Sequence, residues 1–334
     1  MHYTYRKLQI MKNKTILLIT PIIFHYHVEL INALKETGAN VLFYPDQPQG
    51  ALVALKRKLS TKYSKEYYDK IYDKIKEVRI DYFFLINGKG ITRKFIQKIK
   101  QDNKGIKLIT YQWDSIARNN LERKTNYLYI LDLFDKCFSF DHKDANENKE
   151  LEYLSNFHTI KNKSNTNMLR EIDFLMVGSY TDERYFFVKK MSKEFRQKKI
   201  VFYNHLYIPW HHYARNVLLK GKFLNPMYLK YYPISKKVLK KLYLNSKATI
   251  DIQHPNQTGF TMRVLEGLAY GCKIITTNKN IVKENFYSAD NISIFELNSF
   301  WKNLKISFIE KKTDSNKSID ELYIKQWIKK IFDK

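Results

Sequence analysis

The chain has 334 residues, of which 44% are hydrophobic and 15% aromatic, which is enough apolar material for two cores and excludes disorder of the whole chain. The formal net charge of +26 favours partners that carry phosphate groups, such as a nucleic acid, an anionic membrane surface or a phosphorylated lipid. Because Lys, Asn, Ile and Tyr are abundant throughout, the same charge also fits a solvated surface of biased composition.

The cysteines and the apolar runs bear on the cellular compartment in which the protein is expected. Cys137 and Cys272 lie far apart and outside any CxxC spacing, which predicts a reducing environment without a disulfide framework. The longest apolar runs, 15–24 and 81–86, are too short to span a bilayer, and residues 1–9 do not resemble a secretory signal. We therefore predict a cytoplasmic protein with an extension over residues 1–10.

The first half of the sequence alternates short apolar runs with amphipathic stretches. Strands are predicted at residues 15–20, 40–44, 82–86, 107–111 and 137–140. Helices are predicted at residues 27–36, 65–78, 92–101 and 126–133. This alternation is typical of a parallel sheet with helices on both faces, where ligands bind at the carboxyl ends of the strands. We predict an N-terminal domain over residues 11–154.

A second domain is predicted after a linker at residues 155–167, which is rich in Asn, Ser, Thr and Lys and lacks apolar periodicity. Strands are predicted at residues 172–177, 199–203, 248–253 and 273–277. Helices are predicted at residues 182–195, 234–245 and 260–270. The domain covers residues 168–316, and the final segment, 317–334, contains an amphipathic helix at 319–332 that is suited to packing back across the linker.

A tyrosine-rich segment, residues 207–232, combines aromatic and basic side chains. They include Trp210, His211, His212, Arg215, Lys220 and Lys222. Contact with a membrane surface is one interpretation, and packing in a core and its rim is the other, which composition favours. His211 and His212 lack a third ligand at a credible spacing, so no metal site is predicted.

The stretch 254–261 links a predicted buried strand to a helix that Gly271 closes. Backbone N–H groups at such a helix start bind phosphate readily. Gly259 would let the backbone approach a ligand, and the hydroxyl groups of Thr258 and Thr261 can donate hydrogen bonds. The sequence therefore indicates an anion site here.

Inside this helix Arg263, Glu266 and Tyr270 recur on one face, opposite an apolar stripe. The guanidinium group of Arg263 can clamp a diphosphate, and the carboxylate of Glu266 can accept hydrogen bonds from ribose hydroxyls. The alternative is a surface ion pair between these two side chains.

The run QTGFTMRVLEGLAYGCKIITTN, residues 257–278, resembles the donor-site signature of group 1 glycosyltransferases, and most closely that of their CgeB-like and polysaccharide-biosynthesis branch. Residues 173–179 followed by Arg184 resemble the opening strand and loop of the same domain. The resemblance covers about residues 172–278. In the N-terminal half only the general architecture is similar.

This resemblance implies a GT-B fold, in which two Rossmann-like domains face a cleft, with a nucleotide-sugar donor on the C-terminal domain and an acceptor on the N-terminal one. By position, Gly259, Phe260 and Thr261 would contact the phosphates, Arg263 would assist, and Glu266 would hold the ribose. The remaining predicted donor-binding residues are Gly178, Ser179, Arg184, His254, Gln257 and Thr258. The nucleotide-sugar is a co-substrate, and no further cofactor is predicted.

The sequence departs from the family pattern at Thr258, where many retaining members carry a second glutamate. The missing carboxylate favours an inverting displacement, which needs a base for the acceptor hydroxyl and electrostatic help for the departing diphosphate. No metal-binding DxD motif is evident, so we predict a metal-independent reaction.

Three residues are candidates for the base. His25 and His27 lie in the loop after the first predicted strand, and an imidazole suits proton transfer near neutral pH. The alternative for a loop histidine is a helix cap or a surface position. Asp114 follows the fourth predicted strand, beside Trp113, which can stack on a sugar ring. The alternative there is that Asp114 or Ser115 caps the next helix.

The sequence thus predicts a glycosyltransferase of cell-surface polysaccharide biosynthesis, such as that of capsule, lipopolysaccharide or O-antigen. The acceptor would be a glycan or a polyprenyl-diphosphate-linked glycan, with peripheral contact to an anionic membrane and no nucleic acid. One alternative is a non-catalytic sugar-nucleotide-binding partner subunit, and another is an epimerase on the same fold. A basic nucleic-acid-binding protein is a third, although no reading module is present.

Overall fold

The computed structural model describes residues 11–48, 62–117, 127–161, 169–311 and 317–333, which form two compact units. Unit 1 contains the chain up to Asn156, the segment Pro255–Gly259 and the C-terminal stretch Ile324–Lys334. Unit 2 contains Phe157–His254 and Phe260–Tyr323. The predicted extension at residues 1–10 and residues 162–167 of the predicted linker lie outside the described residues.

Unit 1 is built on a parallel sheet of six strands in the order β2-β1-β3-β4-β5-β6. The strands are β1 Thr15–Thr20, β2 Asn40–Pro45, β3 Tyr82–Ile86, β4 Lys107–Gln112, β5 Lys136–Ser139 and β6 Glu152–Tyr153. The helices are α1 Tyr26–Glu36, α2 Lys62–Ile75, α3 Arg93–Asp102, α4 His142–Glu147 and the C-terminal α12 Ile324–Phe332, with a short 3-10 helix at Leu128–Leu133. The five predicted strands are confirmed, whereas the predicted helix at 126–133 is a 3-10 helix over its described part.

The C-terminal helix α12 packs on the sheet of unit 1. The Trp327 ring lies 4.8 Å from that of Tyr111, and the Phe332 ring lies 5.5 Å from that of Phe84. The indole N–H of Trp327 donates to the carbonyl of Ser155 at 2.9 Å. The apolar side of this amphipathic helix therefore completes the core of unit 1.

Unit 2 is built on a parallel sheet of five strands in the order β11-β10-β9-β7-β8. The strands are β7 Ile172–Ser179, β8 Phe202–Tyr207, β9 Ser246–Asp251, β10 Lys273–Thr276 and β11 Ile292–Ile294. The helices are α5 Asp182–Gln197, α6 Trp210–Lys220, α7 Lys236–Leu244, α8 Met262–Ala269, α9 Phe300–Asn303, α10 Ile306–Glu310 and α11 Lys317–Asp320, with short 3-10 helices at Pro226–Tyr228 and Lys279–Lys283. Two parallel α/β units were predicted, and the structure confirms them.

Two predicted elements of the second half are wrong in detail. The strand predicted at 199–203 begins at Phe202, because Lys199 has a positive φ of 57° and the N–H of Ile200 donates back to the carbonyl of Phe195 at 2.9 Å. Residues 199 and 200 therefore close α5. The single helix predicted at 319–332 is interrupted by a turn in which the N–H of Tyr323 donates to the carbonyl of Asp320.

Helix α8 lies directly on the sheet of unit 2. A Cβ atom on Gly267 would lie 2.7 Å from Cγ2 of Thr249 in β9 and 2.8 Å from Cδ1 of Ile274 in β10. The missing side chain allows this close approach, which positions the start of α8 at the carboxyl edge of β9. Gly271 has a φ of 73°, as predicted for the residue that ends the helix.

In the described part of the chain, no helix combines the length and the apolar character needed to cross a membrane.

Candidate functional site

Two arginine side chains converge on one glycine at the carboxyl edge of the unit 2 sheet. A Cβ atom on Gly178, near the end of β7, would lie 3.6 Å from Nη1 of Arg184 and 3.8 Å from Cζ of Arg263. Arg184 belongs to the first turn of α5, and Arg263 to the first turn of α8. Two guanidinium groups at one strand end form a cationic edge that suits phosphate oxygens.

Arg184 joins the ends of two neighbouring strands. Its Nε and Nη2 donate to the carbonyl of Ile252 after β9, at 3.1 and 2.7 Å, and Nη1 donates to the carbonyl of Ser179 at 3.0 Å. The side chain of Arg184 is buried. Its hydrogen bonds therefore join the ends of β7 and β9, and its positive charge lies at the carboxyl edge of the unit 2 sheet.

Asp251, the last residue of β9, is a buried carboxylate that the sequence analysis did not single out. Its Oδ1 accepts hydrogen bonds from the hydroxyl of Thr261 at 3.0 Å and from Nη2 of Arg263 at 3.3 Å. Its buried Oδ2 has no hydrogen-bond partner among the described residues. Asp251 therefore orients Thr261 and Arg263, and its second carboxylate oxygen is a buried acceptor whose hydrogen-bonding capacity is unused among the described residues.

Glu266 is buried in the middle of α8, so the alternative of a surface ion pair does not apply to it. The ion pair that Arg263 makes among the described residues is with Asp251. Tyr270 is also buried, and its ring stacks on that of Tyr243 at 5.4 Å. The predicted polar face of this helix is therefore wrong at Tyr270, whereas Glu266 is a carboxylate held inside unit 2.

The start of α8 contributes less side-chain chemistry than predicted. Phe260 is buried against Phe286, with ring centroids 5.0 Å apart, so only its backbone can contact a ligand. Thr261 precedes the helix, and its hydroxyl is directed to Asp251 rather than to the first turn of α8. The carbonyl of Ser179 accepts a hydrogen bond from Arg184. His254 is the last residue of the unit 2 segment Phe157–His254.

The short segment Pro255–Gly259 belongs to unit 1, where Asp141 holds it. Oδ2 of Asp141 accepts from the N–H groups of Thr258 at 2.6 Å and Gly259 at 3.1 Å, and Oδ1 accepts from the hydroxyl of Thr258. Oδ1 also accepts from the N–H of Lys143 at 2.9 Å at the start of α4. The amide of Gly259 and the hydroxyl of Thr258, which were both predicted to donate to the ligand, are therefore bonded to a protein carboxylate.

Gly259 is required for a reason other than the predicted one. A Cβ atom on Gly259 would lie 2.4 Å from the carbonyl oxygen of Phe140 and 2.6 Å from its ring. No side chain fits at that distance from a backbone atom. The glycine therefore lets the segment pack against Phe140, in addition to any approach of a ligand.

Asp114, one candidate base, lies after β4 with both carboxylate oxygens in hydrogen bonds. Oδ2 accepts from Nδ2 of Asn87 at 3.1 Å, and Oδ1 accepts from Nε2 of Gln257 at 3.4 Å. The hydroxyl of Ser115 donates to the carbonyl of Asn256 at 2.6 Å. Trp113 is buried, which leaves little of its ring to stack on a sugar. Asp114 and Gln257 thus lie together in unit 1.

His25 and His27 lie at the start of α1, after β1 and thus at the same carboxyl edge of the unit 1 sheet as Asp114. His25 occupies the N-cap position of the helix, as the alternative for a loop histidine has it, but its side chain makes no capping hydrogen bond. His27 stacks on Phe43 with ring centroids 5.9 Å apart. Burial lowers the pKa of the His27 imidazole below its ordinary value of 6.5, with a smaller opposing effect of a hydrogen bond to the backbone of Ile23. A neutral ring of this kind can accept a proton.

Among the described residues, no three His, Cys, Asp or Glu side chains are grouped as metal ligands would be.

Neither a protein-family model nor a curated protein sequence matches the chain. Solved structures are similar to it over nearly its whole length. The apo form of the lipopolysaccharide outer core galactosyltransferase WaaB is 14% identical, with a TM-score of 0.56 over 95% of this chain and 99% of its own. An α,α-trehalose-phosphate synthase (UDP-forming) from Burkholderia xenovorans, in complex with glucose-6-phosphate, is 10% identical, with a TM-score of 0.58 over 95% of this chain and 98% of its own. An α-glucosyltransferase in complex with UDP and a 13-mer DNA is 14% identical, with a TM-score of 0.51 over 94% of each chain.

These likenesses, together with the two parallel α/β units, define the fold. The chain has the GT-B fold, as the resemblance of residues 172–278 implied. At such low identities the comparisons establish architecture, and the chemistry of the site has to be argued from the residues of this chain.

Proposed function

We propose that this protein is a glycosyltransferase that moves a sugar from a nucleoside diphosphate sugar to an acceptor hydroxyl group. The observation that carries the proposal is the cationic edge of unit 2, where Arg184 and Arg263 converge on Gly178 and Arg263 pairs with the buried Asp251. The buried carboxylate of Glu266 follows Arg263 by about one turn of α8. A diphosphate next to a sugar and a ribose needs this combination, since cations bind the phosphates and carboxylates accept from hydroxyls. The same edge is where open parallel sheets bind nucleotides.

The donor would be held by groups with separate tasks. Arg263 and the backbone N–H groups at the start of α8 bind the diphosphate, and the dipole of that helix adds to their effect. Glu266 accepts hydrogen bonds from the ribose hydroxyls. Because Asp141 already occupies the N–H groups of Thr258 and Gly259, the phosphates rely on Arg263 and on residues 260–261.

The reaction would proceed with inversion and without a metal ion. One base among His25, His27 and Asp114 takes the proton of the acceptor hydroxyl while its oxygen attacks the anomeric carbon. The bond to the donor phosphate breaks, and the nucleoside diphosphate leaves with the electron pair. The guanidinium groups of Arg184 and Arg263 stabilise the negative charge that develops on it. The threonine at position 258 supports inversion, because a retaining family pattern has a carboxylate there.

The acceptor would be a glycan or a polyprenyl-diphosphate-linked glycan in capsule, lipopolysaccharide or O-antigen biosynthesis, at the cytoplasmic face of a membrane. The net charge of +26 supports an acceptor that carries phosphate. The similarity to a galactosyltransferase of the lipopolysaccharide outer core supports this setting. We do not assign nucleic acid as a substrate, although one structural neighbour is in complex with DNA.

A thermal-shift panel of UDP, GDP, CDP, dTDP and CMP tests the donor site. A nucleotide that binds the native state raises stability by RT ln(1 + [L]/Kd), so one base should raise the unfolding midpoint above the others. A panel in which no nucleotide shifts the midpoint would remove the basis of the proposal. A nucleotide that binds, with no turnover of its sugar derivative, would instead identify a non-catalytic partner subunit.

A further inference from the structure

Helix α6 ends in a group of large apolar side chains that contact water. Leu218 and Leu219 in its last turn are 78% and 79% exposed, and Phe223, just past the helix, is 90% exposed. Met227 in the following 3-10 turn is 66% exposed. We call these four residues the α6 tip. Single exposed apolar residues are common, but four within ten positions indicate an interaction surface.

The α6 tip is held in place by the other face of its own helix. Tyr213 and Val217 pack against a buried cluster that includes Tyr185 and Leu224. Gly221 ends the helix with a φ of 60°. Beyond it, the ammonium group of Lys222 pairs with the carboxylate of Asp182. The sequence analysis favoured packing for this segment, which is right for the inner face, whereas the outer face remains exposed.

The sequence around the α6 tip has an unusual charge distribution. Between Glu194 and Asp251 there is no Asp or Glu but twelve Lys and Arg residues, although the whole chain has 33 acidic residues in 334. Arg215 and Lys220 lie on the exposed side of α6 itself, and Lys236 and Lys237 are exposed at the start of α7. On α6 itself, exposed cationic side chains therefore lie next to exposed apolar ones, whereas Lys222 and Lys247 of this stretch pair with Asp182 and Asp173.

We propose that the α6 tip docks on an anionic lipid bilayer. Its leucine and phenylalanine side chains enter the headgroup region, and the neighbouring lysine and arginine side chains bind lipid phosphates. A nucleic acid would account for the charge but not for four exposed apolar side chains. A second copy of the same surface would bring the same positive charge and be repelled.

This inference deepens the proposed function, since it places the chain where a lipid-linked acceptor resides. Vesicle binding requires neither nucleotide nor acceptor, so each of the two proposals can fail without the other.

The test is sedimentation of the full chain with vesicles of phosphatidylcholine alone or mixed with phosphatidylglycerol. We expect binding to the mixed vesicles that weakens as salt rises. Substitution of Leu218→Ser, Leu219→Ser and Phe223→Ser together should weaken it at least about tenfold at constant salt. Leu169→Ser is the matched control, since Leu169 is an 86% exposed leucine of unit 2 away from this segment, and it should bind as the parent does.

A second variant tests the contribution of the positive charges on α6 to vesicle binding. Arg215→Gln with Lys220→Gln should weaken binding to the mixed vesicles by about fivefold per charge and flatten its salt dependence. Circular dichroism should show both variants folded, because the substituted side chains are exposed. The proposal is overturned by a parent that does not sediment with the mixed vesicles, or by a triple serine variant that binds like the parent. It is also overturned if the parent self-associates through the α6 tip or binds duplex DNA more tightly than vesicles.

Discussion

At the scale of single residues, the donor site depends on Glu266 as a buried carboxylate. Glu266→Gln keeps the size of the side chain and removes its charge, so a charge-assisted hydrogen bond to ribose becomes a neutral one. We expect the affinity for the nucleotide chosen by the thermal-shift panel to fall about 5- to 12-fold, because a charged hydrogen bond contributes roughly 1–1.5 kcal/mol more than a neutral one. Calorimetric titration measures it. Glu296→Gln is the control, because that exposed carboxylate pairs with Lys279 elsewhere in unit 2. Equal affinities of parent and Glu266→Gln would remove Glu266 from the site.

Arg263→Lys keeps the positive charge beside Asp251 but removes the planar pair of donors. We expect transfer to fall more than about tenfold, because an ammonium group cannot bind two phosphate oxygens side by side. The control is Arg93→Lys in unit 1, where an exposed arginine pairs with the carboxylate of Asp132. Steady-state rates of donor consumption give the comparison. Parental rates in Arg263→Lys would show that Arg263 is not a phosphate ligand.

Alanine substitution of His25, His27 and Asp114 in turn should identify the base. One variant should lose about 10²- to 10⁴-fold in transfer while its donor affinity stays unchanged. If that residue is His27, transfer should be lost as pH falls through a value below 6.5, because burial lowers the pKa of its ring and protonation removes the base. The pH profile of the rate constant measures this limb. A scan in which all three variants keep their activity would contradict this account of acceptor activation.

At the scale of elements, the segment Pro255–Gly259 is held by hydrogen bonds to Asp141, which is distant in sequence. Asp141→Ala would leave the N–H groups of Thr258, Gly259 and Lys143 without their carboxylate partner. Since each buried donor left unsatisfied costs about 1–3 kcal/mol, we expect the free energy of unfolding to fall by about 2–4 kcal/mol. Urea denaturation measures the loss. Asp132→Ala, at an exposed carboxylate, should change the free energy of unfolding by less than about 1 kcal/mol, and an equal effect of both would contradict the role of Asp141.

The sequence predicts most elements of both sheets, and most directly strands β1 and β3, because these are nearly continuous apolar runs of the length of a buried strand. The start of strand β8 was predicted too early, because the left-handed conformation of Lys199 is not visible in the sequence. The placement of Asp141 against Thr258 depends on a contact across 117 positions, which local patterns do not encode.

The candidate site could be predicted only in part. The resemblance to a glycosyltransferase signature identified Gly178, Arg184 and Arg263, which the structure brings together. Asp141 and Asp251 were missed, although Asp141 directly follows the predicted strand 137–140 and Asp251 lies near the end of the predicted strand 248–253. A search for carboxylates at the carboxyl ends of strands would have found them. Their roles become visible only when the partners are seen, because Asp251 binds Arg263 and Asp141 binds backbone amides.

At the scale of the whole molecule, the chain consists of two parallel α/β units that carry different functional groups. Unit 2 carries the cationic edge, the buried Glu266 and the exposed α6 tip, and unit 1 carries the three candidate bases. The charge of +26 is unevenly placed, with no acidic residue between Glu194 and Asp251. Fold alone does not decide between a transferase, an epimerase and a non-catalytic binder, so turnover has to be measured.

The most direct measurement is NMR of a reaction that contains the chain, the nucleoside diphosphate sugar chosen by the nucleotide panel and a polyprenyl-diphosphate-linked glycan. We predict release of the nucleoside diphosphate together with a new glycosidic bond whose anomeric configuration is inverted relative to the donor. The variant that loses the base should form neither product. Retention of configuration would contradict the inverting mechanism, and a donor that binds but is never consumed would contradict the assignment as a glycosyltransferase.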